Sequence, residues 1–426
     1  MTRRKKKRGF LKTPWSKKRY TNRWKKLKDS RKSVHSYSFF ILFLTYLLIS
    51  VGLIFLFDGS IFRAVENHDK YFFIKKQLQW IGIGSIALFV FSKINYKVYL
   101  GKNSIVILAG VVLSLISLLV LPKILPEGLR DYFFPIRGGA VRWITIGGES
   151  GITIQPSEFA KIGMILYLSS WLAEQKYTYK SVKEAIKFHF MYGLVGFILI
   201  VGLVGVLILL QPDMGTTIVI VVIAFIIYFV SGNDVVHLGG SVALVIVFVV
   251  LMVVAGVVAP YRFKRIMVFK DVFLTGHVAY EDRFEDGQQM EHILTGIGSG
   301  SWFGKGLGNS IQQHGYLVEN TAFTDSIIAV YFEETGFVGA IVIILVYIFY
   351  MYLCFLVAQK TEDKAGKLIA IGIGSLISIQ AFLHIATNTA VIPLTGLPLP
   401  FFTYGGSSTL STMIGVGILL NIDKRG

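Results

Sequence analysis

Residues 289–336 read QMEHILTGIGSGSWFGKGLGNSIQQHGYLVENTAFTDSIIAVYFEETG and lie between two strongly apolar parts of the chain. The stretch contains glycines, amides, a lysine and several acidic residues, and its charges would be costly in the hydrocarbon core of a bilayer. The next 21 residues, 337–357, carry no charge and are long enough to cross a bilayer on their own. The pattern therefore predicts a polar segment beside a membrane span, and we expect this segment to be the working part of the protein.

The rest of the chain predicts an all-α polytopic membrane protein. Hydrophobic residues make up 54% of the 426 residues, and the apolar runs do not alternate with polar residues as the strands of a membrane β-barrel do. The single cysteine, Cys354, excludes a disulfide framework. Ten transmembrane helices are predicted, at residues 37–57, 77–91, 104–121, 156–173, 191–210, 214–230, 235–259, 337–357, 368–387 and 404–420.

Basic residues predict the orientation of the chain. Residues 1–36 form a basic tail with 16 Lys and Arg before Ser33, and such a tail is expected to stay in the cytoplasm, where it contacts anionic lipids. Its aromatic residues are too sparse to favour nucleic-acid binding. A membrane domain, residues 37–426, follows, with both termini predicted to be cytoplasmic. The large extracellular loop, residues 260–335, then lies between helices 7 and 8.

Other basic residues fall on the predicted outer side, against the usual charge bias. They are Arg137, Arg142, Arg262, Lys264, Arg265 and Lys305. Several cations at this depth could hold a pyrophosphate, because guanidinium and ammonium groups donate to phosphate oxygens. Contact with lipid phosphates is the alternative. Trp143, which lies in a glycine-flanked motif, could equally be an interfacial anchor.

Two motifs place acidic residues near membrane helices. Glu158 and Lys161 follow Pro156 at an i,i+3 spacing and share one helix face, which favours an internal ion pair over a polar cavity. Asp213 follows Pro212 in a short hairpin. Capping of the next helix is the expected role of Asp213, and lining of a cavity is the alternative.

Small and polar residues near the end of the chain are expected to serve packing. Gly405 and Gly406 precede Ser407 at the start of the last predicted span, where close helix packing is favoured over a groove rim. His384 and Asn388 are expected to make interhelical hydrogen bonds rather than to take part in chemistry.

Asp325 and Glu333 are eight residues apart in the central stretch, which is about 12 Å along a helix axis. They are too far apart to form a directly paired dyad, but one could act at a reacting centre while the other braces a neighbouring helix. Spacing alone favours Thr324 or Asp325 as a helix N-cap. Residues 320–335 are expected to form either the start of one long helix or a separate short helix at the membrane surface.

Several motifs in one order resemble those of the SEDS (shape, elongation, division and sporulation) family, to which FtsW and RodA belong. They are RWITIGG with ITIQPSE, LLQPDMGTT, YRFKRI, SWFGKGLGNSIQ, FTDSIIAVYFEETGFVG and PLTGLPLPFFTYGGSS. The resemblance covers all the predicted spans, leaves out the basic tail, and is closer to the division-type branch. The chain departs from the family pattern at LVENTAFTD, where a proline and an acid usually precede the aspartate, and at Gly300-Ser301, where a glycine pair usually precedes WFG.

The resemblance implies an inverting glycosyltransferase of the bacterial plasma membrane that polymerises lipid II into peptidoglycan glycan strands at the outer face. It implies that Asp325 is the catalytic residue, which takes a proton from the attacking sugar hydroxyl. The predicted substrate-binding residues are Arg142, Trp143, Glu158, Lys161, Arg262, Arg265, Gln289, Lys305 and Ser407. No metal-ligand spacing is present, but an aspartate at the site could coordinate Mg²⁺ or Mn²⁺. The implied partners are a class B penicillin-binding protein and other divisome or elongasome membrane proteins.

Three other functions are compatible with a polytopic chain. A lipid II flippase would use intramembrane charges to move a headgroup, and a scaffold would recruit a transpeptidase without chemistry of its own. A secondary transporter is disfavoured, because no internal repeat is visible in the sequence.

Overall fold

Long apolar helices form most of the described chain, because a backbone inside lipid must satisfy its own hydrogen bonds. The computed structural model describes residues 37–426 except 67, 138–139, 148–150, 176–192, 233–238, 241, 243–259, 277–285 and 314–320. The helices are α1 Ser38–Glu66, α2 Phe72–Lys93, α3 Lys102–Ile124, α4 Glu127–Phe133, α5 Pro156–Glu174, α6 Val195–Leu209, α7 Met214–Ser231, α8 Pro260–Thr275, α9 Asp286–Ser299, α10 Ile327–Lys360, α11 Lys364–Asn388 and α12 Gly406–Arg425. Short 3₁₀ helices cover Tyr96–Tyr99 and Ile311–Gln313.

Five helices among the described residues are long and apolar enough to cross a membrane, namely α1, α3, α7, α10 and α11. The shorter α6 is also apolar. Helices α2, α5 and α12 stand where further spans are predicted, but they carry more polar and charged residues. The predicted span at 235–259 lies almost wholly outside the described residues. The all-helical, multi-pass membrane fold is thus confirmed, while the number of ten spans stays a prediction.

The polar connection between α3 and α5 contains structure that the sequence analysis missed. Strand β1 (Ile136–Arg137) pairs with β2 (Ala140–Val141), and β3 (Ile144–Ile146) pairs with β4 (Ile152–Ile154), both antiparallel. Both β3 and β4 read Ile-Thr-Ile. This alternation of apolar and polar residues is typical of a strand, and these two strands could have been predicted from it. These hairpins bring Arg142 and Trp143 into a fixed turn before β3.

Glycines allow close approach where the central helices cross. A Cβ at Gly372 of α11 would lie 2.7 Å from the Ile165 side chain of α5 and 2.9 Å from Ile227 of α7. A Cβ at Gly417 of α12 would lie 2.6 Å from the Leu88 carbonyl oxygen of α2. Small residues at such contacts let helix backbones approach closely within a membrane. Helix α11 is therefore the central element against which α5 and α7 pack.

Polar side chains join the helix ends on the side opposite the start of α10. The Asp423 carboxylate accepts hydrogen bonds from the backbone N and Oγ of Ser38, at 2.9 and 2.7 Å, and it pairs with Lys360 at 3.3 Å. Asn421 accepts from the Tyr96 backbone N at 3.0 Å. These bonds tie the first, tenth and twelfth helices together and are distant in sequence from the central stretch.

Helix α10 is broken near its start. Gly336 has φ 65° and ψ −162° inside Ile327–Lys360, a left-handed conformation that glycine adopts without a Cβ clash. A Cβ at this position would also lie 2.7 Å from the backbone N of Phe303. The structure thus combines the two predicted geometries: a short segment, 327–335, leads through a break into the apolar span.

Candidate functional site

Two adjoining cavities lie beside the start of α10. Their volumes are about 410 Å³ and about 170 Å³, and the larger is within the size range of small-molecule sites. They share part of their lining, so they are two compartments of one groove, which we call the α10 groove. The shared residues are Arg142, Trp143, Gln155, Glu158, Asp325, Gly396 and Pro398.

The Asp325 carboxylate lines both compartments of the α10 groove. The N-cap of α10 is Ser326, which makes no side-chain cap hydrogen bond, so the expectation that Asp325 or Thr324 caps this helix was wrong. Thr324 Oγ1 instead donates to Asp325 Oδ1 at 2.6 Å. A Cβ at Gly396 would lie 3.4 Å from Oδ2, so the glycine leaves room beside the carboxylate. Asp325 is thereby held in position while it faces the cavity.

The end of α11 fixes the backbone around Asp325. Asn388 Nδ2 donates to the Asp325 carbonyl oxygen at 2.9 Å and to the His384 carbonyl oxygen at 2.9 Å. His384 Nδ1 lies 2.6 Å from the Leu397 carbonyl oxygen. Both side chains are buried. The two residues were expected to bond to another helix. They do make hydrogen bonds, but their partners outside α11 are backbone carbonyls of the connections that contain Asp325 and Leu397.

Arg142 connects the β-hairpin region to the turn between α6 and α7. Its Nε donates to the Gln211 carbonyl oxygen at 2.9 Å, and its Nη2 donates to the Pro212 carbonyl oxygen at 2.8 Å. The guanidinium and the neighbouring Trp143 both line the groove. Backbone carbonyls therefore orient the positive charge of Arg142 in the groove that the Asp325 carboxylate also lines.

Asp213 caps α7 as expected and also lines the smaller compartment. Its carboxylate accepts from the Thr216 backbone N at 3.0 Å and from Gln155 Nε2 at 3.3 Å. Ser157 Oγ donates to it at 3.4 Å. The two roles predicted as alternatives occur together, because the helix N-terminus opens onto the groove.

Glu158 and Lys161 form the predicted internal ion pair in the first turns of α5. Lys161 Nζ lies 2.8 Å from the Glu158 carboxylate and donates to Gln380 Oε1 at 2.8 Å. Both charged residues are 2% exposed. Glu158 lines the groove, whereas Lys161 is absent from the lining of both compartments. The ion pair thus lies at the wall of the groove, with its ammonium directed toward α11.

The remaining predicted cations lie in different places. Arg265 of α8 donates to the Leu394 carbonyl oxygen at 3.2 Å and lines the smaller compartment. Arg262 belongs to the same helix, but its side chain lies outside the described part of the structure. Lys305 forms an ion pair with Glu333 at 2.6 Å and lines neither compartment. Among the three, Arg265 is the cation that the structure brings to Asp325.

Gln289 and Ser407 also differ in their relation to the groove. Gln289 Nε2 donates to Ser326 Oγ at 3.0 Å, so it supports the segment behind Asp325 without lining the cavities. Ser407 accepts from the Gln155 backbone N at 2.9 Å and lines the larger compartment. The turn at residues 405–407 was expected to serve helix packing. Ser407 also forms part of the groove wall, so packing is not its sole role.

Two lining residues escaped the sequence analysis. Lys76 and Trp80 of α2 both line the larger compartment, and their i,i+4 spacing puts them on one helix face. Lys76 Nζ also lies 4.4 Å from the centroid of the Phe72 ring. The sequence alone shows that these two residues share a helix face. Their position in the groove depends on the close packing of α2 against α12.

The chain is similar to known proteins over most of its length. The profile of the family described as FTSW_RODA_SPOVE, cell cycle protein, matches residues 38–426. Stage V sporulation protein E of Bacillus subtilis is 33% identical over 393 residues, covering 90% of this chain and 96% of the relative. The probable peptidoglycan glycosyltransferase FtsW of the same organism is 32% identical over 405 residues, covering 92% of each protein.

Solved structures share the fold. A chain from a study of structural coordination of polymerization and crosslinking by a peptidoglycan synthase complex aligns with a TM-score of 0.68 and 23% identity, covering 91% of this chain and 97% of its own length. Rod shape determining protein RodA of Thermus thermophilus aligns with a TM-score of 0.59 and 21% identity, covering 90% and 95%.

Proposed function

Since this chain belongs to the family of FtsW, RodA and SpoVE, we propose that it is a peptidoglycan glycosyltransferase that polymerises lipid II into glycan strands at the outer face of the plasma membrane. Several relatives that align with 86–92% of the chain at 32% identity are named probable peptidoglycan glycosyltransferases. One observation carries the proposal to this molecule: the Asp325 carboxylate lines both compartments of the α10 groove. In the proposed arrangement each compartment takes one of two lipid-linked sugars, and the carboxylate lies between them.

The proposed reaction is an inverting transfer between two lipid-linked sugars. The 4-hydroxyl oxygen of the acceptor forms a bond to the anomeric carbon of the donor, and the bond from that carbon to the pyrophosphate oxygen breaks. Asp325 takes the hydroxyl proton, because a sugar hydroxyl is a weak nucleophile until it is deprotonated. The bonding electrons leave with undecaprenyl pyrophosphate, whose charge Arg142, Arg265 and Lys76 are placed to stabilise.

A divalent cation is not assigned a step in this mechanism. Over the described ranges, no group of three or more His, Cys, Asp or Glu side chains is placed to hold a metal ion. The predicted Mg²⁺ or Mn²⁺ would therefore depend on Asp325 together with oxygens of the substrate pyrophosphate. A chelator arm in the activity assay tests this proposal.

The proposed topology has ten spans, cytoplasmic N- and C-termini and the loop 260–335 outside. Its support is the excess of Lys and Arg in the segments assigned to the cytoplasm, above all in the basic tail 1–36. The α10 groove then opens at the outer leaflet, where lipid II sugars are exposed. Membrane-impermeant labelling of a cysteine introduced at Asp131, on the groove side, should succeed in intact cells if this orientation is right.

We further propose that the chain works with a class B penicillin-binding protein and belongs to the division-type branch. The similar solved chain comes from a peptidoglycan synthase complex that couples polymerization to crosslinking, and several relatives are named FtsW. Other divisome or elongasome proteins, and anionic lipids at the basic tail, complete the proposed set of partners.

The decisive experiment incubates purified protein with lipid II in detergent, with and without the cognate transpeptidase and a chelator. Glycan polymer, measured by gel electrophoresis, is the expected product. Translocation of lipid II in vesicles without polymer in any arm would instead support a flippase. Stimulation of a partner polymerase without activity of its own would support a scaffold.

Lys76→Met should lower kcat/KM for lipid II by about 10- to 100-fold, because a charge-assisted contact contributes about 1.5–3 kcal/mol. Lys75→Met is the matched control. Lys75 lies one residue away, has a 64% exposed side chain and pairs with Asp69 at 2.8 Å, a contact that lowers the pKa of the Asp69 carboxyl. The control should stay within about twofold of wild type. Equal effects of the two substitutions would show that Lys76 acts only through general surface charge.

Asn388→Ala should lower kcat about fivefold and leave KM nearly unchanged, because a lost positioning hydrogen bond of about 1 kcal/mol shifts Asp325 without removing it. The pH dependence of kcat should keep its shape, since the general base is still present. Asn421→Ala is the control, as Asn421 is also 1% exposed and hydrogen-bonded, at 2.9 Å to the Ser92 carbonyl oxygen. It should lower thermal stability to a similar degree and leave kcat unaltered.

A further inference from the structure

The loop before the break in α10 exposes large apolar side chains. We call residues 300–312, GSWFGKGLGNSIQ, the SWFG loop. Trp302 is 64% exposed, Phe303 82%, Leu307 62% and Ile311 61%. Contiguous exposed apolar side chains of this size mark an interaction surface. The catalytic proposal does not use this surface, because none of these four residues lines the α10 groove.

Backbone hydrogen bonds hold the SWFG loop against α10. Phe337 N donates to the Ser301 carbonyl oxygen at 2.9 Å, and Val338 N donates to the Trp302 carbonyl oxygen at 3.1 Å. Lys305 N donates to the Glu333 carbonyl oxygen at 3.0 Å. These bonds use the backbone groups freed by the break at Gly336. The exposed rings are therefore presented by an ordered loop.

The buried side chain of Glu333 accepts hydrogen bonds from the polar groups of the loop. Its carboxylate, 1% exposed, accepts from Lys305 Nζ at 2.6 Å and from Ser310 Oγ at 2.6 Å. It also accepts from Ser299 Oγ at 3.0 Å and from the Gln312 backbone N at 3.2 Å. Lys305 is the only charged residue in the sequence of the loop. Its charge is neutralised by Glu333, which leaves the exposed surface of the loop without an unpaired charge.

This apolar surface continues the lipid-facing side of α10. The Trp302 ring packs edge-on against Phe337, with ring centroids 5.2 Å apart and an interplanar angle of 85°. Phe337 begins the apolar span and is itself 52% exposed. Exposed apolar side chains follow along the same helix at Ile341, Val342, Leu345 and Ile348. Since α10 is a membrane-spanning helix, these side chains face lipid.

We infer that the SWFG loop inserts Trp302, Phe303 and Leu307 into the boundary between headgroups and acyl chains, on the membrane surface next to the α10 groove. Tryptophan is enriched at this depth because its ring is amphipathic. A bilayer fits better than a protein partner, because protein interfaces carry a polar rim, whereas this surface is uncharged and joins a lipid-facing helix. The insertion fixes the depth of residues 325–335 relative to the lipid substrates.

The test measures the depth of a nitroxide on the loop in the full-length protein. Cys354, which is buried, is first replaced by alanine, and Phe303→Cys is then labelled and reconstituted in phosphatidylcholine–phosphatidylglycerol vesicles. Power-saturation electron paramagnetic resonance compares collisions with oxygen and with a water-soluble nickel chelate. We expect strong oxygen access and at least a fivefold lower nickel access than at the control label, at a depth of about 5–10 Å.

Asp131→Cys is the matched control label, because the Asp131 side chain is 61% exposed and pairs with Arg130 on the short helix α4. It should be as accessible to nickel as a label in water. Leu307→Cys provides a second loop position in case the first variant folds poorly. Nickel access at the loop equal to that at 131 would overturn the inference. So would a loop label that is aqueous in lipid alone and becomes protected only with the transpeptidase present, which would identify a protein-docking surface.

Glu333→Gln tests how the loop is held. Loss of the carboxylate charge weakens the hydrogen bonds from Lys305 and Ser310, so the label at 303 should become more mobile and its nickel access should rise at least twofold. An unchanged spectrum and depth in a folded variant would show that the backbone hydrogen bonds alone hold the loop.

Discussion

Asp325→Asn is expected to lower the rate of glycan polymerisation by about 10²- to 10⁴-fold, the usual contribution of a general base. Asparagine cannot take the proton of the acceptor hydroxyl at neutral pH. The substitution keeps the local shape, because the amide oxygen can still accept from Thr324 Oγ1, which lies 2.6 Å from the present carboxylate. Single-turnover polymerisation of lipid II by purified protein measures the loss.

Two controls separate chemistry from folding in this experiment. Asp131→Asn removes an exposed carboxylate that pairs with Arg130, and it should leave the rate within about twofold of wild type, as exposed ion pairs contribute little. The thermal unfolding midpoint of Asp325→Asn should match that of wild type, because Asp325 is partly exposed to the cavity. A folded Asp325→Asn protein that polymerises at the wild-type rate would contradict the proposed mechanism.

Lys161→Met is expected to reduce the free energy of unfolding by about 3–5 kcal/mol, because it leaves the Glu158 carboxylate buried without its partner. Both residues are 2% exposed, so the Glu158 carboxylate is poorly solvated once the ammonium is removed. The double variant Glu158→Gln/Lys161→Met should recover most of this stability, since no unpaired charge remains. Denaturant unfolding in detergent measures all four members of this double-mutant cycle.

The same cycle also distinguishes the structural role of the ion pair from a substrate contact. Glu158 lines the groove and Lys161 does not. The double variant should therefore be stable but still less active than wild type. Full activity in the stable double variant would limit Glu158 to a structural role. A stability loss in the double variant equal to the sum of the losses in the two single variants would mean that the two charges are not coupled.

Much of the molecule was predictable from local features of the chain. Uncharged runs such as 337–357 are long enough for a bilayer wherever they occur, so the helical membrane fold was correctly predicted without tertiary information. The i,i+3 spacing of Glu158 and Lys161 was enough to predict that they form an ion pair. Asp213 followed a proline at a helix start and was correctly predicted as a cap.

Other features could not be predicted because they depend on contacts between distant residues. Lys305 was expected near the pyrophosphate, but Glu333, near the end of the short segment 327–335, binds it away from the groove. Lys76 was overlooked, although α2 places it in the groove. Spacing alone favoured a capping role for Asp325, which the structure excludes because Ser326 occupies the N-cap position.

Run length, charge and motif order therefore settled the fold class and the family, since each of these is a property of neighbouring residues in the chain. The catalytic role of Asp325 is a prediction from the family resemblance. Tertiary structure decided which cations face that carboxylate. Lys76, Arg142 and Arg265 line its groove because α2, the β-hairpin region and α8 meet around the start of α10. Residues so far apart in sequence come together only when the helices pack, and no local sequence pattern predicts which of them will be neighbours in space.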